Sequence, residues 1–438
     1  MEALAYLVEL FSREEFSTEL LSDVFTKMPM GGTENLQKLS NAFIPIVEGQ
    51  YGNAQLIMDN VHGLMAGYSG GEIATTSLPG VDYLRFNKNL EVAEQVVFGK
   101  KDLEETNRLL QNLKLDTWVG KVAAANNTLR RRFINRHADM ARQFVNNNTY
   151  ALDSMGAIIS ASGVYSDATR SAYHLDLADS PATKFTDVRD LPGDYAFSME
   201  SADYLWGEAS ADPINNLRQL ITYITELLMR EPVRIYIPQL VLDKMGDAGQ
   251  IIDLIKRHSM DQLAARNATD GISSLLGLDY STTTDMYTFA TSVTSAITAG
   301  STTTFTVADP TGIAAGDYIM IDSLNHTDSY NAKVTSISSS TVTIPALNGG
   351  DVIPVGSRIT TKKPLIDKNK IVVELKDKKT QWLASPNVWA GSMENPGRGY
   401  FSQTGVNSDI RRPEAFVMAG FKGDLQIYQP NFVTLRVY

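Results

Sequence analysis

The chain has 438 residues, of which 43% are hydrophobic, and it carries a formal net charge of −11 with no cysteine. This length can hold two or three ordinary domains with real apolar cores. The absence of cysteine excludes disulfides, thiolate metal sites and cysteine catalysis, and the acidic balance argues against general coating by nucleic acid, because phosphate binding needs concentrated positive charge.

The sequence pattern of residues 1–100 predicts segments that extend from a compact body. The first stretch, "MEALAYLVELFSREEF", has the spacing of an amphipathic helix and lacks the basic start and unbroken apolar run of a signal peptide. The rest of residues 1–60 is rich in glycine and proline with little periodicity, and such an arm normally needs a partner surface to order it. In residues 61–100, glycines punctuate two candidate strands, Tyr83–Phe86 and Val92–Phe98, which indicates an extended two-stranded loop.

A long helix is predicted from Asp102 to about Asn146, because apolar residues recur there at three- and four-residue spacing. Gly120 is a position where this helix could kink or end. No run of about 18 consecutive apolar residues occurs in the chain, so no membrane-spanning helix is expected. The protein is expected to be soluble in the cytoplasm in which it is made.

The next clear block runs from Trp206 to Asp279. "ADPINNLRQLITYITELLMRE" begins with Asp212 as the expected N-cap and Pro213 at the first helical position. "PVRIYIP" is typical of a short strand, "QLVLDKM" of a helix, and residues 251–279 of a further helix followed by a small apolar segment. The order helix, strand, helix predicts an α+β domain with a covered sheet.

Composition changes sharply in residues 290–361, which are crowded with threonine and serine and poor in charge. Short alternating runs between glycine, proline and aspartate turns predict about five strands of a compact all-β module. Because "KNKIVVELKD" returns to the earlier style at Lys368, the module is expected to be an insertion. The chain ends in "DLQIYQPNFVTLRVY", whose alternation around Pro430–Asn431 predicts a hairpin with its last strand built into a sheet.

The sequence carries no signal for an enzyme, a cofactor or a metal site. The five histidines are scattered, and His137 and His258 are expected to be solvated because they lie among charged residues of predicted helices. "GYSGGE" does not have the GxxxxGK[ST] form, "ASGVYSD" does not have the GxSxG form, and no Ser/His/Asp order can be singled out. Neighbouring carboxylates such as Glu14-Glu15 and Glu104-Glu105 point about 100° apart on a helix, so they do not converge on one bond.

One basic run, "LRRRFINRHADMAR", concentrates positive charge on the long helix of an acidic protein. A solvated, salt-bridged helix is the favoured interpretation, since long helices usually carry such charge. The alternative is contact with packaged nucleic acid or with a neighbouring acidic subunit. The residues that would make this contact are Arg130, Arg131, Arg132, Arg136 and Arg142.

Three segments carry a resemblance to a known family: "WGEASADPINNLRQLITYITELLMREPVRIYIPQLVLDKM" (206–245), "IIDLIKRHSMDQLAARNATDGISSLLGLD" (251–279) and "RRPEAFVMAGFKGDLQIYQPNFVTLRVY" (411–438). In their order and pattern they resemble a major capsid protein of a tailed bacteriophage with the Hong-Kong-97-like fold, closest to the lambda-type branch. The resemblance implies an α+β fold with an N-terminal arm, an extended β loop, a long spine helix, and peripheral and axial domains. The 290–361 module departs from the minimal fold. The implied division is 1–60 arm, 61–100 loop, 101–289 capsid core, 290–361 inserted β domain and 362–438 C-terminal strands of the core.

The resemblance implies self-assembly into hexamers and pentamers of an icosahedral shell that encloses double-stranded DNA. It also implies a virion location, no membrane, and a scaffold, a portal and possible decoration proteins as partners. One alternative is a nanocompartment shell of the same fold, which would load a protein. A second is a phage tail or host-binding protein whose module recognises a glycan, which would need exposed aromatics among Phe305, Tyr318 and Tyr330, although Phe305 alternates as a core residue. A third is a hydrolase with an unrecognised site.

Overall fold

A computed structural model gives the fold of the chain. It describes residues 11, 21, 34–47, 88–99, 115–147, 149–151, 158–160, 174–176, 206, 211–222, 224–225, 230–248, 278–281, 285–298, 300, 304–324, 329–348, 352–376, 378, 380–387, 397–407, 414–427 and 431–437. Within these residues the protein is α+β, as the order of elements in the sequence predicts.

Four α-helices lie in the described residues: α1 (Glu34–Phe43), α2 (Leu115–Asn147), α3 (Pro213–Thr222) and α4 (Gln239–Asp247). Helix α2 confirms the long predicted helix from Leu115 onward, while residues 102–114 of that prediction lie outside the described residues. It runs unbroken through Gly120, where an added Cβ would meet nothing within 4 Å. Helix α3 begins as predicted, because the backbone N–H of Asn215 donates to Asp212 Oδ1 at 3.2 Å. Every helix in this part of the chain is too short or too polar to cross a bilayer.

The strands of the described residues form several separate sheets. In chain order they are β1 (Ile46–Val47), β2 (Lys88–Phe98), β3 (Thr149–Ala151), β4 (Ile158–Ser160), β5 (His174–Asp176), β6 (Pro232–Tyr236), β7 (Asp279–Ser281), β8 (Met286–Ser292), β9 (Ile297–Thr298), β10 (Thr304–Thr306), β11 (Tyr318–Asp322), β12 (Ser329–Lys333), β13 (Ser336–Ser338), β14 (Thr341–Thr343), β15 (Val352–Ile353), β16 (Arg358–Pro364), β17 (Lys370–Leu375), β18 (Thr380–Ala384), β19 (Pro386–Asn387), β20 (Gly397–Arg398), β21 (Tyr400–Asn407), β22 (Glu414–Ile427) and β23 (Phe432–Arg436).

The first sheet is built around β22, a strand of 14 residues. Strand β2 pairs antiparallel along one side of it, while β21 and then β18 pair along the other side. Helix α2 covers this sheet, with the ring centroid of Phe133 5.9 Å from that of Trp382 and 5.8 Å from that of Phe421. The predicted strand Val92–Phe98 is therefore confirmed as part of β2. In the described residues its pairing partner is β22 of the first sheet, not a second strand of an extended loop.

The second sheet has the strand order β5-β23-β17-β6-β7, with β23 antiparallel to β17 and β17 antiparallel to β6. Helices α3 and α4 share its core, which is made of large buried apolar side chains that include Trp206, Leu217, Ile235, Val241 and Val433. Burial of this apolar surface is the main force that holds the layers together.

The predicted C-terminal hairpin is wrong, although the last strand does lie inside a sheet. Strands β22 and β23 belong to different sheets and do not pair with each other. The start of β23 is anchored by the buried side chain of Asn431, whose Oδ1 accepts from the N–H of Thr380 at 3.0 Å and whose Nδ2 donates to the carbonyl of Phe43 at 2.8 Å. Alternation predicted both strands correctly but could not distinguish a tight turn from a crossing between sheets.

In its described residues the Thr/Ser-rich region forms a β module with nine strands, β8 to β16, in place of the five or so predicted. Strands β8 and β16 lie side by side from Met286 opposite Pro364 to Ser292 opposite Arg358. The chain thus enters and leaves the module at one place, as an insertion requires. The residue limits given above for the five domains stay predictions.

The expectation of an unpatterned arm over residues 1–60 is wrong for residues 34–47, while residues 48–60 lie outside the described residues. Residues 34–47 form α1 and β1, which pack on the body: Phe43 is fully buried and β1 runs parallel to β18. Apolar residues at 36, 39 and 43 lie on one face of α1, and this spacing of three and four residues was a missed sequence signal. The predicted strand Tyr83–Phe86 and, except for residue 11, the predicted helix at residues 1–16 lie outside the described residues.

Candidate functional site

A row of polar residues on α2 faces the two strands that lead into the β module. Asn135, Asp139, Arg142 and Asn146 follow one another at spacings of four, three and four residues, which places them on one side of the helix. We call these four residues the polar seam. They lie where α2, which packs on the first sheet, meets the base of the module.

The first half of the polar seam binds β8. The N–H of Thr288 donates to Asn135 Oδ1 at 3.2 Å, and the hydroxyl of Tyr287 donates to Asp139 Oδ1 at 2.6 Å. The second carboxylate oxygen of Asp139 accepts from Gln143 Nε2 at 3.0 Å. Asp139 is therefore hydrogen-bonded through both oxygens although it is only 4% exposed.

The second half of the polar seam binds the chain just after β16. Arg142 donates from Nε to the carbonyl of Pro364 at 3.1 Å and from its terminal nitrogen to Asp367 Oδ1 at 3.0 Å. Asn146 accepts from the N–H of Asp367 at 3.4 Å through Oδ1, and from Lys370 Nζ at 2.9 Å through its carbonyl. Both ends of the module are thus hydrogen-bonded to helix α2.

Burial raises the pKa of the Asp139 carboxyl from its ordinary value of 3.8 to about 6. The hydrogen bond from Tyr287 and the positive charges of Arg136 and Arg142 act in the opposite direction, whereas the charge of Asp309 adds to the rise. Burial, and then the charge of Asp139, raise the pKa of Tyr287 well above 10, so its hydroxyl stays a donor at neutral pH. Asp139 is therefore the group of the seam that changes charge near physiological pH.

Beside the seam lies a cleft of about 600 Å³, bounded by α2, by β2 and β22 of the first sheet, and by β8 of the module. We call it the arginine cleft, after its most abundant charged residue. Its charged lining consists of Arg132, Arg136, Arg358, Glu94 and Asp139. Its apolar walls include Leu129, Phe133 and Phe289.

The five arginines of the basic run lie in different environments in the structure. Arg130 is buried, Arg131 is exposed, and Arg142 belongs to the polar seam. Only Arg132 and Arg136 share the arginine cleft, where Arg132 forms an ion pair with Glu94. The solvated side chain that the sequence favoured is thus wrong for Arg130, which is buried, and for Arg142, which is hydrogen-bonded to Pro364 and Asp367. Contact of any of the five with DNA or a neighbouring subunit stays a prediction.

Sequence reasoning missed Arg358 and most of the polar seam. Arg358 begins β16, far along the chain from α2, and only the fold of the module brings it to the cleft. The seam had a signal in its three- and four-residue spacing, but polar residues at helical spacing are usually solvated. Their partners on β8 and after β16 could not be inferred before the strand pairing was known.

The expectation that His137 is solvated is wrong. Its side chain is 2% exposed, and Nε2 lies 2.8 Å from the carbonyl of Ile44, to which it donates. Burial lowers the pKa of His137 to about 4, so the ring is neutral at physiological pH. The segment that follows α1 covers this part of α2, which the charged neighbours in the sequence did not reveal. His258 lies outside the described residues.

In the ranges that the structure describes, no three His, Cys, Asp or Glu side chains are grouped so that they could hold a metal ion. The polar seam and the arginine cleft are instead arrangements of charge pairs and hydrogen bonds between secondary-structure elements. They can position the module, and they offer guanidinium groups to an anion.

No protein-family model matches the chain, and no curated protein matches it. Among solved structures, the chain is similar to a phage-related protein of Bordetella bronchiseptica RB50, with 10% identity, a TM-score of 0.39, and coverage of 96% of this chain and 97% of that one. It is also similar to a protein assigned provisionally as a prophage capsid protein of E. coli CFT073, with 10% identity, a TM-score of 0.38, and coverage of 97% and 99%.

A third similar structure is the tailspike of Acinetobacter baumannii bacteriophage AP22 in complex with a capsular saccharide. It is 21% identical, with a TM-score of 0.16, and the match covers 18% of this chain and only 15% of the tailspike chain. All three are distant likenesses at these identities and TM-scores.

Proposed function

We propose that the chain is the major capsid protein of a tailed bacteriophage, with the Hong-Kong-97-like fold and closest to the lambda-type branch. The observation that carries this proposal is the agreement between the resembling segments and the elements that they form. Residues 206–245 contain α3, β6 and α4 in the order that the resemblance implies, and residues 411–438 end in β23. Strands β6 and β23 lie in the same sheet on either side of β17.

The contacts around this sheet support a body that is closed by its own C-terminus. The backbone N–H of Trp206 donates to the carbonyl of Val437 at 2.8 Å, and Trp206 Nε1 donates to Asn216 Oδ1 at 3.1 Å. The first and last resembling segments therefore share one core. A long helix, α2, lies on the neighbouring sheet, and in this proposal it is the spine helix.

In this proposal, copies of the chain assemble into hexamers and pentamers of an icosahedral shell around double-stranded DNA. Repeated interfaces of modest size add up to a stable particle in such a closed assembly. A scaffold, a portal and possible decoration proteins would be its partners, and the mature location would be the virion after assembly in the host cytoplasm. Of the five arginines, Arg131 is the exposed one and so the best placed to reach a duplex.

The test is expression of the full chain, alone and together with its neighbouring genes, followed by negative-stain electron microscopy. Closed shells or rings the size of capsomers are the expected result. A stable monomer under every condition, including co-expression with a candidate scaffold, would contradict the proposal. The contents of the particles separate a genome container from a nanocompartment that holds a protein.

The glycan-binding alternative has one observation in its favour. Tyr318 is 73% exposed on β11, with Lys333 Nζ 5.8 Å from its ring centroid. Phe305 is a core residue as predicted, and Tyr330 is half-buried. A single exposed aromatic side chain is common on soluble proteins and does not form a sugar-binding platform. The module is therefore proposed as a structural or decorating part of the subunit.

A further inference from the structure

Among the described residues that line it, the arginine cleft holds more guanidinium groups than carboxylates. Arg132 pairs with Glu94, and Arg136 lies 4.0 Å from a carboxylate oxygen of Asp139. Arg358 has no ion pair with any residue in the described ranges. Its side chain is half-buried. The cleft thus holds three guanidinium groups and two carboxylates.

The positive charge of Arg358 repels that of Arg132. Burial lowers the pKa of Arg132, and the like charge of Arg358 lowers it further. Two guanidinium groups that repel each other beside an apolar wall are stabilised when an anion binds between them. Arginine binds carboxylate and phosphate oxygens through paired N–H donors, so either chemistry would suit the two groups alone.

The shape of the cleft favours a carboxylate on a peptide over a phosphate on a duplex. The side chains of Arg132 and Arg136 are only 34% and 27% exposed, so they are recessed between α2 and the module. A DNA duplex is too wide to enter a cleft of about 600 Å³. An extended peptide can place one acidic side chain there while its neighbours pack on the walls that Phe133 and Phe289 provide.

We propose that the arginine cleft binds an acidic segment of a second copy of this chain, with its carboxylate between Arg132 and Arg358. The inference rests on the proposed function, because a shell subunit always has neighbouring copies. Charge complementarity supports this occupant: the chain has 50 acidic and 39 basic residues, so a neighbouring copy carries a net charge of −11, opposite in sign to the surplus guanidinium of the cleft. Since the cleft is lined by both α2 and β8, the bound segment would also fix the module against the body.

The experiment compares the full-length wild type with Arg358→Glu under the conditions in which the wild type assembles, by sedimentation and electron microscopy. We expect the fraction of Arg358→Glu in particles to fall at least tenfold, and Arg358→Lys to fall less because it keeps the charge. Arg218→Glu is the matched control, because Arg218 is exposed on α3 and outside the cleft, and it should assemble as the wild type does. The circular dichroism and thermal midpoint of unassembled Arg358→Glu should match those of the wild type, which separates lost contact from lost fold.

The occupant is identified by placing the photocross-linker p-benzoylphenylalanine at position 292, which lines the cleft opposite Arg358 and leaves the arginines in place, and mapping the product by mass spectrometry. A cross-link to an acidic peptide of another copy is expected. A cross-link to a scaffold protein or to nucleic acid would overturn the assignment, as would normal assembly of Arg358→Glu. A wild-type chain that stays monomeric under all conditions would overturn the proposed function together with this inference, whereas normal assembly of both proteins overturns the inference alone.

Discussion

Replacing Asp139 by asparagine should remove a pH-dependent loss of stability that is built into the polar seam. The carboxyl is buried between α2 and β8, and its pKa rises from 3.8 to about 6 in the folded protein. A group whose pKa is raised by folding binds its proton more tightly in the folded state. The stability that this proton contributes is fully present below about pH 4 and is lost as the pH rises through about 6.

The size of the effect follows from the shift of about two pKa units, at roughly 1.4 kcal/mol per unit. Between about pH 4 and pH 7.5 the wild type should therefore lose about 3 kcal/mol of unfolding free energy relative to Asp139→Asn, which does not titrate. The quantity compared is how the difference in unfolding free energy between the two proteins changes with pH. Any fixed cost of the altered hydrogen bonds to Tyr287 and Gln143 therefore cancels.

Equilibrium urea unfolding of the full chain over this pH range, followed by tryptophan fluorescence, measures the difference. A difference between the two proteins that stays constant with pH, or one that shifts in favour of the wild type as the pH rises, would refute the reasoning. Tyr287→Phe supplies a second check. This substitution removes a hydrogen bond that lowers the pKa of Asp139. The pH at which half of the stability contributed by the Asp139 proton is lost should therefore be higher in Tyr287→Phe than in the wild type.

Three further variants test the seam and the packing of the first sheet by the same unfolding assay. Arg142→Met should cost about 2 kcal/mol because it leaves Asp367 and a carbonyl without their donor, while the exposed Arg218→Met should change stability by less than about 0.5 kcal/mol. Gly420→Ala should cost about 2 to 3 kcal/mol, since a Cβ there would overlap the backbone of β2. Gly120→Ala, with open space around it in α2, should instead stabilise by about 0.5 to 1 kcal/mol, and a loss would contradict the geometry.

Local signals in the sequence were enough to predict many of the elements. The cap of α3 depends on Asp212 and Pro213, which are neighbours in the chain, and the hydrogen bond from Asn215 confirms it. Strand β6 and helix α4 also lie where their patterns predicted them. In these cases the deciding interactions join residues a few positions apart, so spacing and residue type carry the information.

The candidate site could not be predicted in the same way, because its partners are distant in sequence. Arg142 was identified as a basic residue of a helix, but its acceptors lie after β16 and meet it only in the folded chain. Arg358 shows the same limit, since nothing near it in sequence points to α2. The burial of His137 likewise depends on the carbonyl of Ile44 at the end of α1.

The measurement that tests the central proposal most directly is the mass of the species formed by the full chain when it is produced with its neighbouring genes. Sedimentation velocity with electron microscopy of the fastest fraction would serve. A self-assembling shell subunit predicts closed particles, or rings of five and six copies, with nucleic acid inside the complete shells. A homogeneous monomer at every protein and salt concentration, with the candidate scaffold present, would contradict it.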